Sequence, residues 1–175
     1  MRNSVGRLYF LHFAIVLTSC AGTKGSGAKN NSMSLYESFF INDSTMQYFI
    51  GGLKFKEEAK ISVDFTLRVV NDRPKPVVMN FTILSEVPLE QTKLQMRVSD
   101  QQWSVFDMSI MYREKQKKLY KYRYSSLVEF EKINLFFKAK ERSFVLNEKV
   151  LTPKKKVVKQ MELLGKDLFG FVLNQ

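Results

Sequence analysis

Serine–histidine–aspartate and cysteine–histidine catalysis need an imidazole, and common zinc sites draw on histidine or cysteine ligands. This sequence holds one of each residue, His12 and Cys20. It contains no glycine-rich phosphate loop, no EF-hand pattern and no paired-carboxylate motif. Asp64 and Asp107 fall on the polar faces of predicted strands, where a solvated acid is the expected state. Three other groupings remain. Lys154-Lys155-Lys156 sits where a helix is predicted to begin, and a helix N-terminus flanked by ammonium groups suits a phosphate or carboxylate. A solvated lysine run explains the same residues. Tyr120, Tyr122 and Tyr124 alternate with Lys121 and Arg123 just after Lys118, the pattern of a recognition strand with aromatic and basic faces. A ribbon with its tyrosines over the core and its charges in water has the same pattern. The third grouping is an abundance of apolar side chains, with 15 Phe and 8 Met, which fits a packed core or the lining of an apolar cavity.

The two most reactive side chains lie in a segment that reads as an address. Arg2 and Arg7 precede a ten-residue apolar core, Leu8–Leu17, and small residues follow it. That is the layout of a secretory signal, and the core is shorter than the roughly 20 residues needed to span a bilayer. Leu17-Thr18-Ser19-Cys20 resembles the lipobox of bacterial lipoprotein signal peptides. The resemblance implies cleavage before Cys20 and acylation of that thiol, with palmitate among the acyl chains. A diacylglyceryl group with a further N-acyl chain meets the requirement of more than one chain for stable anchoring. The alternatives are an ordinary signal peptide cut nearby and a lone buried cysteine.

If residues 1–19 are removed, His12 leaves with them and Cys20 is occupied. The remaining domain then has neither imidazole nor free thiol, which excludes the catalytic and metal chemistries above as well as structural disulfides. Carboxylate chemistry alone survives. The expectation is a protein that is not an enzyme and binds no cofactor and no metal. The chain has 28 basic and 17 acidic residues; residues 1–19 hold two arginines and no acid, so the remainder carries 26 against 17, a net +9. Such an excess attracts anionic surfaces. For an exported chain that implies anionic lipid or an envelope protein, with no nucleic acid expected.

Residues 20–34, small and polar, cannot bury enough surface to offset chain entropy. They read as a tether with a reach of roughly 20 Å. Their lack of an acidic run after Cys20 departs from the surface-export signal of some Bacteroidetes-type lipoproteins. The expected location is therefore the outer membrane, facing the periplasm.

Residues 35–175 read as a single mostly-β domain. Ile61, Val63, Phe65, Leu67 and Val69 alternate with polar residues over Lys60–Val69, the signature of a strand with one wet face. Val77–Leu84 repeats it after Asn71-Asp-Arg-Pro-Lys-Pro76. Further strands are predicted at Met46–Ile50 and Leu53–Phe55 around a Gly51-Gly52 bulge, at Leu94–Val98, at Trp103–Tyr112 and through Tyr120–Tyr124. Residues 127–138 fit either period; Ile133–Ala139 is taken as a strand against which Phe144–Leu146 returns. Thr152 as N-cap and Pro153 at the first helical position start an amphipathic helix over 153–168, with Val157, Met161, Leu164 and Leu168 as its apolar stripe. The expected fold is mainly β: an antiparallel sandwich or a curved open sheet with one C-terminal amphipathic helix. The expected function is a non-enzymatic binding or scaffolding module of the envelope. The alternative is a carrier or acceptor of an apolar ligand such as a lipid or a lipoprotein acyl chain.

Overall fold

The structure, a computed structural model, describes residues 35–55, 60–89, 92–105 and 108–173. Cys20, the tether, Phe106 and Asp107 lie outside them. From the first described residues the chain forms β1 (Tyr36–Asn42), β2 (Thr45–Lys54), β3 (Lys60–Val70), the two-residue β4 (Arg73–Pro74) and β5 (Val77–Ser85). The hairpins β6 (Leu94–Val98) with β7 (Gln101–Val105) and β8 (Ser109–Gln116) with β9 (Leu119–Val128) follow. Helix α1 (Phe130–Lys138), β10 (Arg142–Leu146), β11 (Lys149–Leu151) and helix α2 (Lys155–Leu173) complete it.

The fold is mainly β, as the alternation implies. One sheet runs β1-β2-β3-β5-β9-β8 with β4 beside β3, the other β11-β10-β6-β7, and each pairing is antiparallel. Ile61, Val63, Phe65, Leu67 and Val69 of β3 and Val77, Met79, Phe81 and Ile83 of β5 are all buried. At Gly51-Gly52 the β2–β3 register shifts between Ile50 and Leu53, the irregularity the glycine pair implies. The two sheets meet at Phe144 of β10. Its ring lies 5.2 Å from Phe55, just past β2, 6.5 Å from Phe81 of the large sheet and 4.7 Å from Phe136 of α1. Both helices join this core, with Phe137 packed on Phe65 and on Phe169 of α2.

Three expectations are corrected. Ile133–Ala139 is not a strand: Phe130–Lys138 is helical, and β10 pairs with β6 and β11 instead. The reason is the spacing of the buried set. Phe130, Ile133, Phe136 and Phe137 are inside at helical intervals, while Leu135, which a strand would place beside Ile133 and Phe137, is exposed. Trp103–Tyr112 is not one strand. β7 pairs with β6 in the small sheet and β8 with β9 in the large one. The inward positions change phase between the two strands, from Trp103 and Val105 in β7 to Met108 and Ile110 at the start of the next hairpin. The C-terminal helix starts at Lys155 rather than Pro153. Pro153 is instead bridged to Phe55, and the Lys154 carbonyl accepts the Val158 N–H at 2.9 Å. Thr152 therefore caps nothing.

The helix also runs past Gly165 and Gly170 to Leu173. Its predicted stripe of Val157, Met161, Leu164 and Leu168 is buried, and Phe169 and Val172 extend it. Gly165 is where α2 crosses the end of α1: a Cβ there would stand 3.2 Å from the Phe137 carbonyl oxygen and 3.3 Å from Lys138 Cγ. That carbonyl also accepts a hydrogen bond from the Arg142 guanidinium, so it has little freedom to retreat. At Gly170 the nearest atom to such a Cβ is 3.8 Å away. Alanine gains about 1 kcal/mol over glycine in a helix interior. Gly170→Ala should collect most of that gain, whereas Gly165→Ala should lower the urea midpoint because contact with a fixed carbonyl outweighs propensity. Equal midpoint shifts for the two variants would refute this account of Gly165.

Arg142 is the one buried charge among the described residues. Its side chain is 1% exposed. One end of the guanidinium donates to the Phe136 and Phe137 carbonyls at the end of α1. The other end lies 3.4 Å from the Val158 carbonyl and 3.8 Å from Glu162 on α2. Burial pushes its pKa down, and Glu162 opposes that shift.

Candidate binding site

The two-residue turn at Lys117-Lys118 sets the register of the β8–β9 hairpin. Gln116 stands opposite Leu119, Lys115 opposite Tyr120 and Arg113 opposite Tyr122. Lys117 adopts a left-handed φ of 57°, the geometry that lets so short a turn match the strand twist.

Tyr120, Tyr122 and Tyr124 share the face of β9 that turns toward the core. Tyr122 and Tyr124 are 1% and 5% exposed, with rings stacked 6.3 Å apart at 12°; Tyr120 lies 6.5 Å further along. The buried hydroxyls find partners in the loop that follows β5. The Leu89 N–H donates to Tyr122 Oη at 2.9 Å, and Tyr124 Oη shares a hydrogen bond with Thr92 Oγ1 at 2.8 Å. Without them, two phenols would be buried unsatisfied.

On this tyrosine row lie cations from the neighbouring strand. The Arg113 guanidinium carbon is 5.5 Å from the Tyr122 ring and 5.9 Å from Tyr120, and Lys115 Nζ is 5.4 Å from Tyr120. These distances suit cation–π attraction. Beside them a groove of about 390 Å³ opens, with Met108 and Ile110 as its apolar wall and Lys93 and Arg113 as its charges. The chemistry it offers is a positive, aromatic-backed surface for an anionic group attached to something apolar.

The tyrosines thus follow the ribbon reading, with Tyr122 and Tyr124 buried over the core, and the cations over them come from β8 rather than from Lys121 and Arg123. Lys121 and Arg123 point to the opposite face and are committed there. Arg123 bonds Asp64 at 2.9 Å and Thr82 Oγ1 at 2.9 Å, and Asn80 joins the same carboxylate at 2.9 Å. Lys121 meets Glu114 at 3.2 Å and the Tyr112 ring at 5.1 Å. A hydrogen bond to Tyr112, then one to Glu114, raise its pKa. Asp64 is accordingly an ion-pair partner on the outer face. Arg113 and Lys115 escape a strand-by-strand reading. The two-residue turn, applied as a register rule, would have found them.

Lys154, Lys155 and Lys156 are exposed at the start of α2. The nearby groove of about 370 Å³ is lined by Arg97, Lys140, Arg142 and Thr152 rather than by these lysines. The three predicted anion contacts thus stand at the start of α2, outside the lining of that groove. The acylation position, Cys20, is outside the described residues. Among the described residues no three His, Cys, Asp or Glu side chains cluster as metal ligands, and no helix is long and apolar enough to cross a membrane. No protein-family model, curated protein or solved structure matches this chain.

Proposed function

We propose that this protein is a lipid-anchored binding module of a bacterial cell envelope, held to the outer membrane through Cys20 and facing the periplasm. It works without catalysis. The observation that carries the binding role is the placement of Arg113 and Lys115 over the tyrosine row, on a strand exposed along its whole length. Cations placed on aromatic faces rather than against carboxylates keep their charge available to an incoming anion. The anchor rests on the order of Arg2, Arg7, the apolar core and Leu17–Cys20. The carrier alternative has less support, because Phe65, Phe81, Phe136, Phe137, Phe144 and Phe169 fill the space beneath the large sheet.

Two measurements test the proposal. Mass spectrometry of the mature N-terminus should find an acylated Cys20, and Cys20→Ala should move the protein out of the membrane fraction; an unmodified mature Cys20 would sink the anchor. A photoreactive residue at position 110, beside the groove, should give a discrete adduct in intact cells. At position 127, an exposed outward-facing site on β9, it should not. Arg113→Gln with Lys115→Gln should reduce the adduct by about tenfold, the loss of roughly 1.4 kcal/mol of affinity. Indifferent labelling at both positions would remove the binding role.

A further inference from the structure

We infer that β8 is an acceptor edge, which takes one extended acidic peptide segment as an added antiparallel strand. This rests on the binding-module reading and names the class of its partner.

Among the described residues the large sheet ends at β8, which pairs with β9 on one side only. All eight residues from Ser109 to Gln116 are exposed, and the outer edge of β8 offers a row of backbone N–H and C=O groups with no strand partner among the described residues. Ile110 and Met111 are 61% and 59% exposed, an apolar stretch that an added strand would cover.

Charge selects the occupant. Residues 109–124 hold Arg113, Lys115, Lys117, Lys118, Lys121 and Arg123 against a single acid, Glu114. Lys121 holds Glu114 and Asp64 holds Arg123, which leaves Arg113, Lys115 and the turn lysines to meet a partner. Arg113 and Lys115 lie two residues apart on the tyrosine side. A paired strand presents its side chains with the same period of two, so the complementary segment carries Asp or Glu at alternate positions. Its backbone would gain the ladder while its carboxylates gain the cations, the division of labour typical of strand addition.

The competing occupants fit less well. Lysines on an edge also deter self-pairing, and here that favours an acidic segment over a second, like-charged copy of β8. A bilayer would meet the same positive charge, but unpaired backbone groups buried in hydrocarbon cost several kcal/mol each. The other edge of the sheet, β1, exposes Phe39, Phe40 and Ile41 and carries only Glu37 as a charge. It offers no electrostatic selection and serves as a control.

The test uses the detergent-solubilised full-length mature protein and a synthetic peptide of about eight residues alternating glutamate with threonine and valine. Titration should show saturable binding that Arg113→Gln with Lys115→Gln weakens by about tenfold or more. N-methylation at one alternate set of peptide residues should weaken binding about tenfold and at the other set hardly at all, since an added strand uses one of its edges. Amides of β8, and not those of β1, should gain protection from exchange. Equal binding of both methylated peptides would overturn strand addition in favour of charge contact alone. Displacement of the peptide by phosphatidylglycerol vesicles, but not by phosphatidylcholine vesicles, would overturn it in favour of a membrane surface. Failure of the peptide while the position-110 adduct persists rejects the strand and keeps the binding module. Failure of both rejects the module itself.

Discussion

Truncating Phe144 to alanine should lower the stability of the domain by about 3–5 kcal/mol, the range for large aromatic residues removed from cores. Phe144 is fully buried at the point where the small sheet, the large sheet and α1 meet. Its ring touches Phe55, Phe81 and Phe136. Those neighbours are held by the bridge from Phe55 to Pro153, by β5 and by α1, so they cannot all collapse into the void, and the cavity term adds to the lost burial. The comparison is Phe40→Ala on the edge strand β1. Phe40 is 78% exposed, and its loss should change stability by about 0.5 kcal/mol or less. Urea unfolding of the pair reads the difference directly. A loss of less than about 1.5 kcal/mol at Phe144 would mean that the two sheets do not share one core.

Arg142 is the second large effect, and there two terms compete. Arg142→Met relieves the cost of holding a guanidinium out of water. It also strips the last carbonyls of α1 of their donor, and those groups have no partner within the helix. Leaving a buried acceptor unmade costs about 1–3 kcal/mol, and two carbonyls are involved. The net expectation is a loss of about 2 kcal/mol. Arg142→Lys should do no better than methionine. A single ammonium keeps the desolvation cost but cannot replace a planar fork that spans both α1 and α2. If lysine restores wild-type stability, the fork geometry is irrelevant and charge alone holds the two helices.

Much of the fold is legible from side-chain alternation. β3 and β5 each bury one face and wet the other, and that asymmetry is what a period of two records. Where burial is two-sided or the chain changes sheets, the signal is lost. β10 has all five residues buried and alternates nothing. Helix α1 is only nine residues long, too short for its period to exclude a strand without knowing that Leu135 is exposed while Ile133 and Phe137 are buried. The start of α2 misleads because Thr-Pro is a sound local cap signal, and the long-range bridge from Pro153 to Phe55 overrides it. The candidate site divides in the same way. Three tyrosines on one strand are a local fact, visible at once. The cations over them are a pairing fact, and they come from residues that share no pattern with β9 until the hairpin register is applied.

The seam between β5 and β9 has a kinetic consequence. β1, β2, β3 and β5 follow one another along the sheet through short connections, but Ser85 pairs with Tyr120 across residues 86–119. Closing a loop of that length costs roughly 3 kcal/mol of chain entropy before any contact rewards it. The first four long strands can therefore assemble while β9 is still unformed, and the closing of this seam is the natural slow step. Until it closes, β5 presents Val77, Met79, Phe81 and Ile83 along an unpaired edge. A nascent chain is most prone to pair with its neighbour at that edge, because a strand that will be covered on both sides is then open on one.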